Sequence, residues 1–121
     1  MSFAEEYSSL WKSLGESKIM VLSTSLNNVV TSRPMSIIIL DNNKLYFQTD
    51  RTFRKYEQLK GNPVVALCVE NIQIEGQCKE VGVPSDNTEF CNAYKKHFTS
   101  SFNRYSSLEN ERLFMVQPTF I

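Results

Sequence analysis

Two short stretches carry residue types suited to binding a small anion. The first, TSRPMSIIIL over residues 31–40, sets Arg33, Pro34 and Met35 inside a run that otherwise reads as a β-strand. Proline has no backbone N–H to give to a strand ladder, so residues 33–35 are expected at an edge or a break in pairing. Such a break frees backbone groups and aims Arg33 away from the regular sheet. The second stretch, YFQTDRTFRKYEQLKGNP from Tyr46 to Pro63, gathers Thr49, Arg51, Thr52, Arg54 and Lys55 at the start of a short helical pattern. Backbone N–H groups at a helix N-terminus are unpaired and carry a partial positive charge. Arginine adds a bidentate fork for phosphate oxygens, and lysine a compact point charge. Taken singly, each stretch is equally an arginine beside an edge-strand proline or a solvated helix face. Taken together, they can converge on one phosphate.

Other chemistries find less support. His97 is the single histidine, which excludes a multi-histidine metal centre, and no acidic residue is spaced to orient it in a Ser-His-Asp arrangement. Cys68, Cys78 and Cys91 are widely spaced with no C-x-x-C pair, so buried reduced thiols are expected rather than a zinc or redox motif. Asp86 and Glu89 have capping-box spacing and read as a helix start, not a catalytic pair. Thirteen basic and thirteen acidic residues cancel, which gives no support to nucleic-acid or membrane-surface binding. The opening MSFAEEYSSL lacks the basic-then-apolar signature of a signal peptide, and no apolar run approaches ~18 residues. A cytoplasmic location is expected.

The elements that must position these residues follow from periodicity. Phe3, Tyr7, Leu10, Trp11 and Leu14 form one helical stripe, with Ser2 and Glu5 as a capping box and Gly15 just past the end. KIMVLSTS (18–25), VVTSRPMSIIIL (29–40) and KLYFQT (44–49) read as a strand meander joined by Asn27-Asn28 and Asp41-Asn42-Asn43. A helix capped by Thr52 carries Phe53, Tyr56 and Leu59 on one face and ends at Gly61 and Pro63. PVVALCVE (63–70) and IQIEGQCKEVG (72–82) are two more strands, with Gly76 at a bulge or a close approach. From Ser85 a helix presents Phe90, Tyr94, His97 and Phe98, and RLFMVQPTFI closes the chain as a strand. No repeat or linker interrupts residues 1–121, so one domain is expected, a small antiparallel barrel with flanking helices.

The run from SRPM through YFQTD and RK to QLKGNPVVAL, with IEGQCKEV and the closing RLFMVQPT, resembles the pyridoxamine 5′-phosphate oxidase-like, FMN-binding split barrels, in particular their short general-stress-protein branch. The resemblance spans about Lys18 to Pro118. It implies a mainly β fold, a six-stranded antiparallel split barrel with flanking helices, and a homodimer with FMN at the subunit interface. It places Arg33 and Lys55 on the FMN phosphate with Arg54 nearby, and the backbone of Pro34, Met35 and Ser36 along the flavin ring. Thr49 and Gln48 match positions that contact flavin or its phosphate, and Asn71 matches an amide near the flavin.

Two departures matter. Phe53 stands where many relatives have a phosphate-binding serine, with Thr52 next door as a substitute hydroxyl. The chain also ends at Ile121, without the basic, histidine-bearing extension with which true pyridoxamine phosphate oxidases hold substrate. The expected function is therefore a small FMN-dependent oxidoreductase acting on a small-molecule redox substrate, not vitamin B6 oxidation. Flavin would carry the chemistry, with no protein side chain as an obligatory acid or base. The alternatives are a non-catalytic flavin-binding stress module, or a relative that binds haem or a deazaflavin.

Overall fold

A computed structural model describes residues 3–105 and 108–121. Helix α1 (Phe3–Leu14) leads into β1 (Ser17–Leu26), β2 (Val29–Leu40) and β3 (Lys44–Asp50). Helix α2 (Arg54–Gly61), β4 (Val64–Val69) and β5 (Ile72–Glu80) follow, then a 3₁₀ turn at Pro84–Asp86, α3 (Thr88–His97), α4 (Thr99–Tyr105) and β6 (Glu111–Phe120). All strand pairs are antiparallel and close a six-stranded barrel in the order β1-β2-β3-β6-β5-β4. The mainly β barrel expected from the sequence is the observed fold. Ser2 and the side chains of Phe3 and Glu5 lie outside what the structure describes.

Turn chemistry sets the meander. Asn27 and Asn28 both take positive φ, 52° and 66°, as a two-residue hairpin between Leu26 and Val29 requires. Asparagine tolerates this region because its short polar side chain bonds locally. Gly15, at φ 73°, ends α1 as expected, its N–H bonded to Trp11 O.

The burial pattern distinguishes two kinds of wall. In β1 and β5 buried residues alternate with exposed ones, so one face meets the core and the other meets solvent. In β3 the run Leu45–Thr49 is buried throughout, as are Ile37, Ile38 and Ile39 of β2. The reason is that two cores sandwich this wall. Ile37, Ile39, Leu45, Phe47, Phe114 and Val116 fill the barrel interior, where Phe47 and Phe114 stack at 5.5 Å. On the outside, Ile38, Tyr46 and Leu113 pack under Phe90, Ala93 and Tyr94 of α3. Helices α3 and α4 thus roof one wall only.

Several local expectations are revised. Helix α2 starts one residue later than expected: Phe53 is its N-cap, with no side-chain cap, because Thr52 N–H and Oγ1 both donate to Asp50 Oδ1. Asn87, not Asp86, caps α3, accepting from Phe90 N–H, since Pro84 draws Asp86 into the 3₁₀ turn. Phe98 breaks the helix there, and α4 is a separate element that periodicity did not separate. His97 is not on the apolar side; its Nε2 lies 3.2 Å from Glu16 Oε2 at the surface. Of the three free cysteines, Cys78 is buried and Cys91 half-buried, but Cys68 faces outward from β4. Gly76 sits at a register shift between β5 and β6, and an added Cβ would meet Gln117 O and Val116 Cγ1 at 2.7 Å. Bulge and close approach coincide.

Candidate functional site

The barrel is split where β2 leaves β3. These strands pair only at Ile38–Tyr46, Ile39–Leu45 and Leu40–Lys44, whereas β2 pairs with β1 from Val29 to Ile38 and β3 pairs with β6 from Leu45 to Asp50. Upstream of Ile37, one edge of β2 is therefore bare. The phase of that edge follows from one bond: Ile39 N–H donates to Glu16 O on the β1 side. With period two, the backbone groups of Ile37, Met35 and Arg33 also point to β1. Those of Ser36, Pro34 and Ser32 point to the opening. Pro34 thus occupies a position whose missing N–H costs no ladder bond, and the expected interruption is a one-sided edge within an unbroken strand.

A cleft of about 330 Å³ fills the split. Pro34, Met35 and Ser36 form one wall, and Gln48, Thr49 and Asp50 of β3 with Glu111 of β6 form the other. Phe53 and Lys55 close the α2 end, and Tyr94, Ser101, Tyr105 and Leu108 supply the roof. Its volume lies at the low end for small-molecule sites, roughly 300–1,000 Å³.

Of the residues expected from the sequence, the cleft brings together Pro34, Met35, Ser36, Gln48, Thr49 and Lys55. The Lys55 ammonium lies 3.3 Å from Met35 Sδ and 5.7 Å from the centre of the Phe53 ring. Burial lowers its pKa, Arg33 lowers it further, and Glu111 opposes both. Beside it begins the first turn of α2, whose N-cap Phe53 makes no side-chain cap bond and whose Tyr56 N–H returns to Phe53 O.

Four expected residues lie outside the lining. Arg33 turns into the barrel end, donating to Leu22 O at 3.1 Å and to Thr31 Oγ1, with Gln58 Oε1 at 3.5 Å. Gln58 Oε1 also accepts from Thr24 and Thr31, each at 2.6 Å. Burial, then Arg54, lowers the Arg33 pKa, so the guanidinium is near the α2 cations although its hydrogen bonds are internal. Arg54 is exposed at the first turn of α2. Thr52 is held by Asp50. Asn71 is exposed in the β4–β5 turn.

The residue that sequence reasoning missed is Glu111. It is only 6% exposed, and its Oε1 accepts from Gln48 Nε2 at 2.7 Å. Three buried side-chain oxygens have no partner among the described residues, Gln48 Oε1, Thr49 Oγ1 and Glu111 Oε2, and all three belong to residues that line this cleft. Burial raises the Glu111 pKa; the Gln48 bond and Lys55 lower it, and Asp50 raises it. A folded pKa above the unfolded value, ~4.3, means the ionised form is penalised in the fold. That penalty is present above the folded pKa and is relieved as pH falls through it. Glu111→Gln is therefore expected to raise Tm at pH 7 by roughly 2–5 °C, about 1 kcal/mol. The gain should shrink as pH falls toward ~4.5. A thermal-melt series across pH checks this, and a less stable variant at pH 7 would contradict it.

Among the described residues no cluster of His, Cys, Asp and Glu is able to hold a metal ion, and no helix is long and apolar enough to cross a membrane.

A six-stranded antiparallel barrel split between β2 and β3, with its cleft under a helical roof, defines a split-barrel protein. The sequence profile of the pyridoxamine 5′-phosphate oxidase family matches residues 3–120, and the chain belongs to that family. General Stress Protein 26 from Bacillus anthracis shares the fold at TM-score 0.70 and 22% identity, over 98% of this chain and 90% of that one. An FAD-binding protein from Mesorhizobium loti aligns at TM-score 0.69 and 13% identity, covering 99% and 91%. The haem storage protein HutZ from Vibrio cholerae aligns at TM-score 0.71 and 14% identity, covering 100% and 93%. No curated protein sequence matches significantly.

Proposed function

We propose that this chain is a flavoprotein that holds FMN in the β2–β3 cleft of a homodimer and exchanges electrons with a small-molecule substrate. The observation that carries the reading is the meeting of Lys55 and the uncapped α2 N-terminus on a cleft whose facing wall is bare backbone. A phosphate monoester dianion suits the first, since charge-assisted hydrogen bonds and helix N–H groups both favour it. A flat heteroaromatic ring with alternating donors and acceptors suits the second: Ser36 offers N–H and C=O, and Pro34 offers C=O. The partnerless oxygens of Gln48 and Thr49 fit the polar remainder of such a ligand. The FAD-binding relative supports flavin as the ligand class.

Within this reading the residues take graded roles. Lys55 touches the phosphate and Arg54 flanks it from the surface. Arg33, held by Leu22 O and Thr31, stands behind the phosphate and adds positive potential rather than a bidentate fork. Thr52 shapes the loop through Asp50 instead of lending its hydroxyl. Asn71 has no cofactor contact within its own chain. Bound flavin supplies hydride or single-electron chemistry; the protein supplies orientation and charge. Haem finds no histidine here, because His97 pairs with Glu16 outside the cleft.

The dimer follows from an uncharged outer face. Adjacent strands β4, β1 and β2 turn outward Val64, Ala66 and Cys68, then Ile19, Val21 and Ser23, then Val30, Ser32 and Pro34, without one formal charge. Val30 is 69% exposed and Ile19 61%, in a protein whose 14.0 kDa leaves little core to spare. A contiguous apolar patch of this kind marks an interaction surface. Pro34 belongs both to this face and to the cleft, so a second copy docked on it would sit at the cleft's mouth.

The test is a titration of the purified protein with FMN and with riboflavin, followed by flavin absorbance and fluorescence. FMN is expected to bind about 100-fold more tightly, since charge-assisted hydrogen bonds contribute roughly 1.5–3 kcal/mol each. Equal affinity for the two would overturn the phosphate site. Turnover with reduced nicotinamide then separates an oxidoreductase from a binding module.

A further inference from the structure

Where α2 meets β1 and β2, the barrel interior turns polar. Thr24 of β1, Thr31 and Arg33 of β2 and Gln58 of α2 come together there, with Thr24 2% and Gln58 3% exposed. One oxygen gathers them. Gln58 Oε1 accepts from Thr24 Oγ1 and from Thr31 Oγ1, each at 2.6 Å, and Arg33 Nη2 lies 3.5 Å away. None of the four residues lines the cleft.

The donor count sets the directions of these bonds. A guanidinium only donates, so Arg33 Nη2 takes Thr31 Oγ1 as its acceptor, and Nη1 takes Leu22 O at 3.1 Å. Thr31 has a single hydroxyl proton, which must point elsewhere, and Gln58 Oε1 receives it. Gln58 thereby turns the Thr31 lone pairs toward Arg33; an amide flipped to present its NH₂ would set donor against donor. Holding Arg33 does not by itself call for an amide. A carboxylate at 58 would accept the same protons and form an ion pair with the guanidinium besides. What the amide alone achieves is to hold Arg33 without cancelling its charge. That charge is felt at the start of α2. Burial lowers the Lys55 pKa and Arg33 lowers it further; burial and then Arg54 do the same to Arg33.

We propose that Gln58 is a positioning residue, a neutral acceptor that fixes Arg33 behind the start of α2 with its charge uncompensated, so that its potential adds to that of Lys55. That the anion drawn by this potential is the FMN phosphate rests on the proposed function; the coupling of Gln58 to Lys55 through Arg33 does not.

The test begins without ligand, with the Lys55 ammonium titrated by lysine side-chain NMR and its signal assigned with Lys55→Arg. Gln58→Met, close in volume and uncharged, removes the acceptor. The released guanidinium then turns toward water and is screened, and the Lys55 pKa is expected to rise by roughly half a unit. In an Arg33→Met background, which itself raises the Lys55 pKa, the same substitution should move it no further. Gln58→Glu keeps the hold on Arg33 but cancels its charge. Cooperative melting should be retained, while the preference for FMN over riboflavin falls about tenfold. Thermal melts confirm that each variant is folded. A Lys55 titration that Arg33→Met or Gln58→Met fails to raise, a Gln58→Met shift that persists without Arg33, or an FMN preference unchanged in Gln58→Glu would overturn the proposal. If the unmodified protein binds FMN and riboflavin alike, the phosphate reading falls, and the Lys55 titration still decides the role of Gln58.

Discussion

Replacing Lys55 with glutamate is expected to lower FMN affinity by at least ~100-fold, while Lys55→Ala lowers it by roughly 10–100-fold. The alanine variant loses one charge-assisted hydrogen bond to the dianion. The glutamate variant also sets a carboxylate against the phosphate at a place where burial already disfavours charge, as the depressed Lys55 pKa indicates. The fold should survive, because Lys55 is only half-buried and its hydrogen bond among the described residues is to the Met35 sulfur. Riboflavin, which lacks the phosphate, serves as the internal control: its affinity should change little in Lys55→Ala. Arg54→Ala, at an exposed position, should have the smaller effect. Fluorescence quenching on titration reads all three variants. If Lys55→Glu binds FMN within threefold of the unmodified protein, the phosphate lies elsewhere.

The second large effect is expected at Val21. This residue sits at the centre of the uncharged face, opposite Pro34 on one neighbouring strand and Cys68 on the other. In a two-fold dimer the same patch is buried on both copies, so Val21→Glu introduces two carboxylates into one interface. Each buried ion costs several kcal/mol without a partner, enough to weaken dimerisation by about 1,000-fold. Val21 points outward, so the monomer should keep its barrel and its melting cooperativity. Light scattering should show the unmodified protein as a dimer and the variant as a monomer, with FMN affinity reduced in step. A dimer that tolerates the substitution places the interface on another surface. A monomeric unmodified protein removes the dimer from the reading altogether.

The sequence made the barrel legible wherever one face of a strand meets water. The alternation of Ile72 and Ile74 with Gln73 and Glu75 needs no tertiary knowledge to read. The consecutive isoleucines at 37–39 were legible as a strand, but their continuity has a cause that only packing shows: α3 covers the outside of that wall. Pro34 correctly marked an edge, and composition could not show that the strand runs on unbroken, since pairing to β1 continues beneath it. Thr52 was misread as a cap because Asp50, two residues earlier, competes for the same hydroxyl and N–H. Arg33 was legible as a cation near the α2 start; the hydrogen bonds that turn it inward come from Thr31 and from Leu22 on β1. Glu111 left almost no local signal. An acidic residue before a closing strand reads as a solvated start, and it is buried only because strands β3 and β6 and the α3–α4 roof meet over it. Its value to the site is wholly a product of long-range contacts.

The bare edge of β2 has a consequence for how this protein behaves at high concentration. A strand that keeps a row of unpaired amides is a template for a strand of another molecule, the first step toward fibrillar or amorphous deposits. Pro34 removes the amide in the middle of that row, so an incoming strand would meet a gap between Ser32 and Ser36. The residue that lines the cleft at this edge also makes the opening a poor nucleus for self-association in a cross-β register.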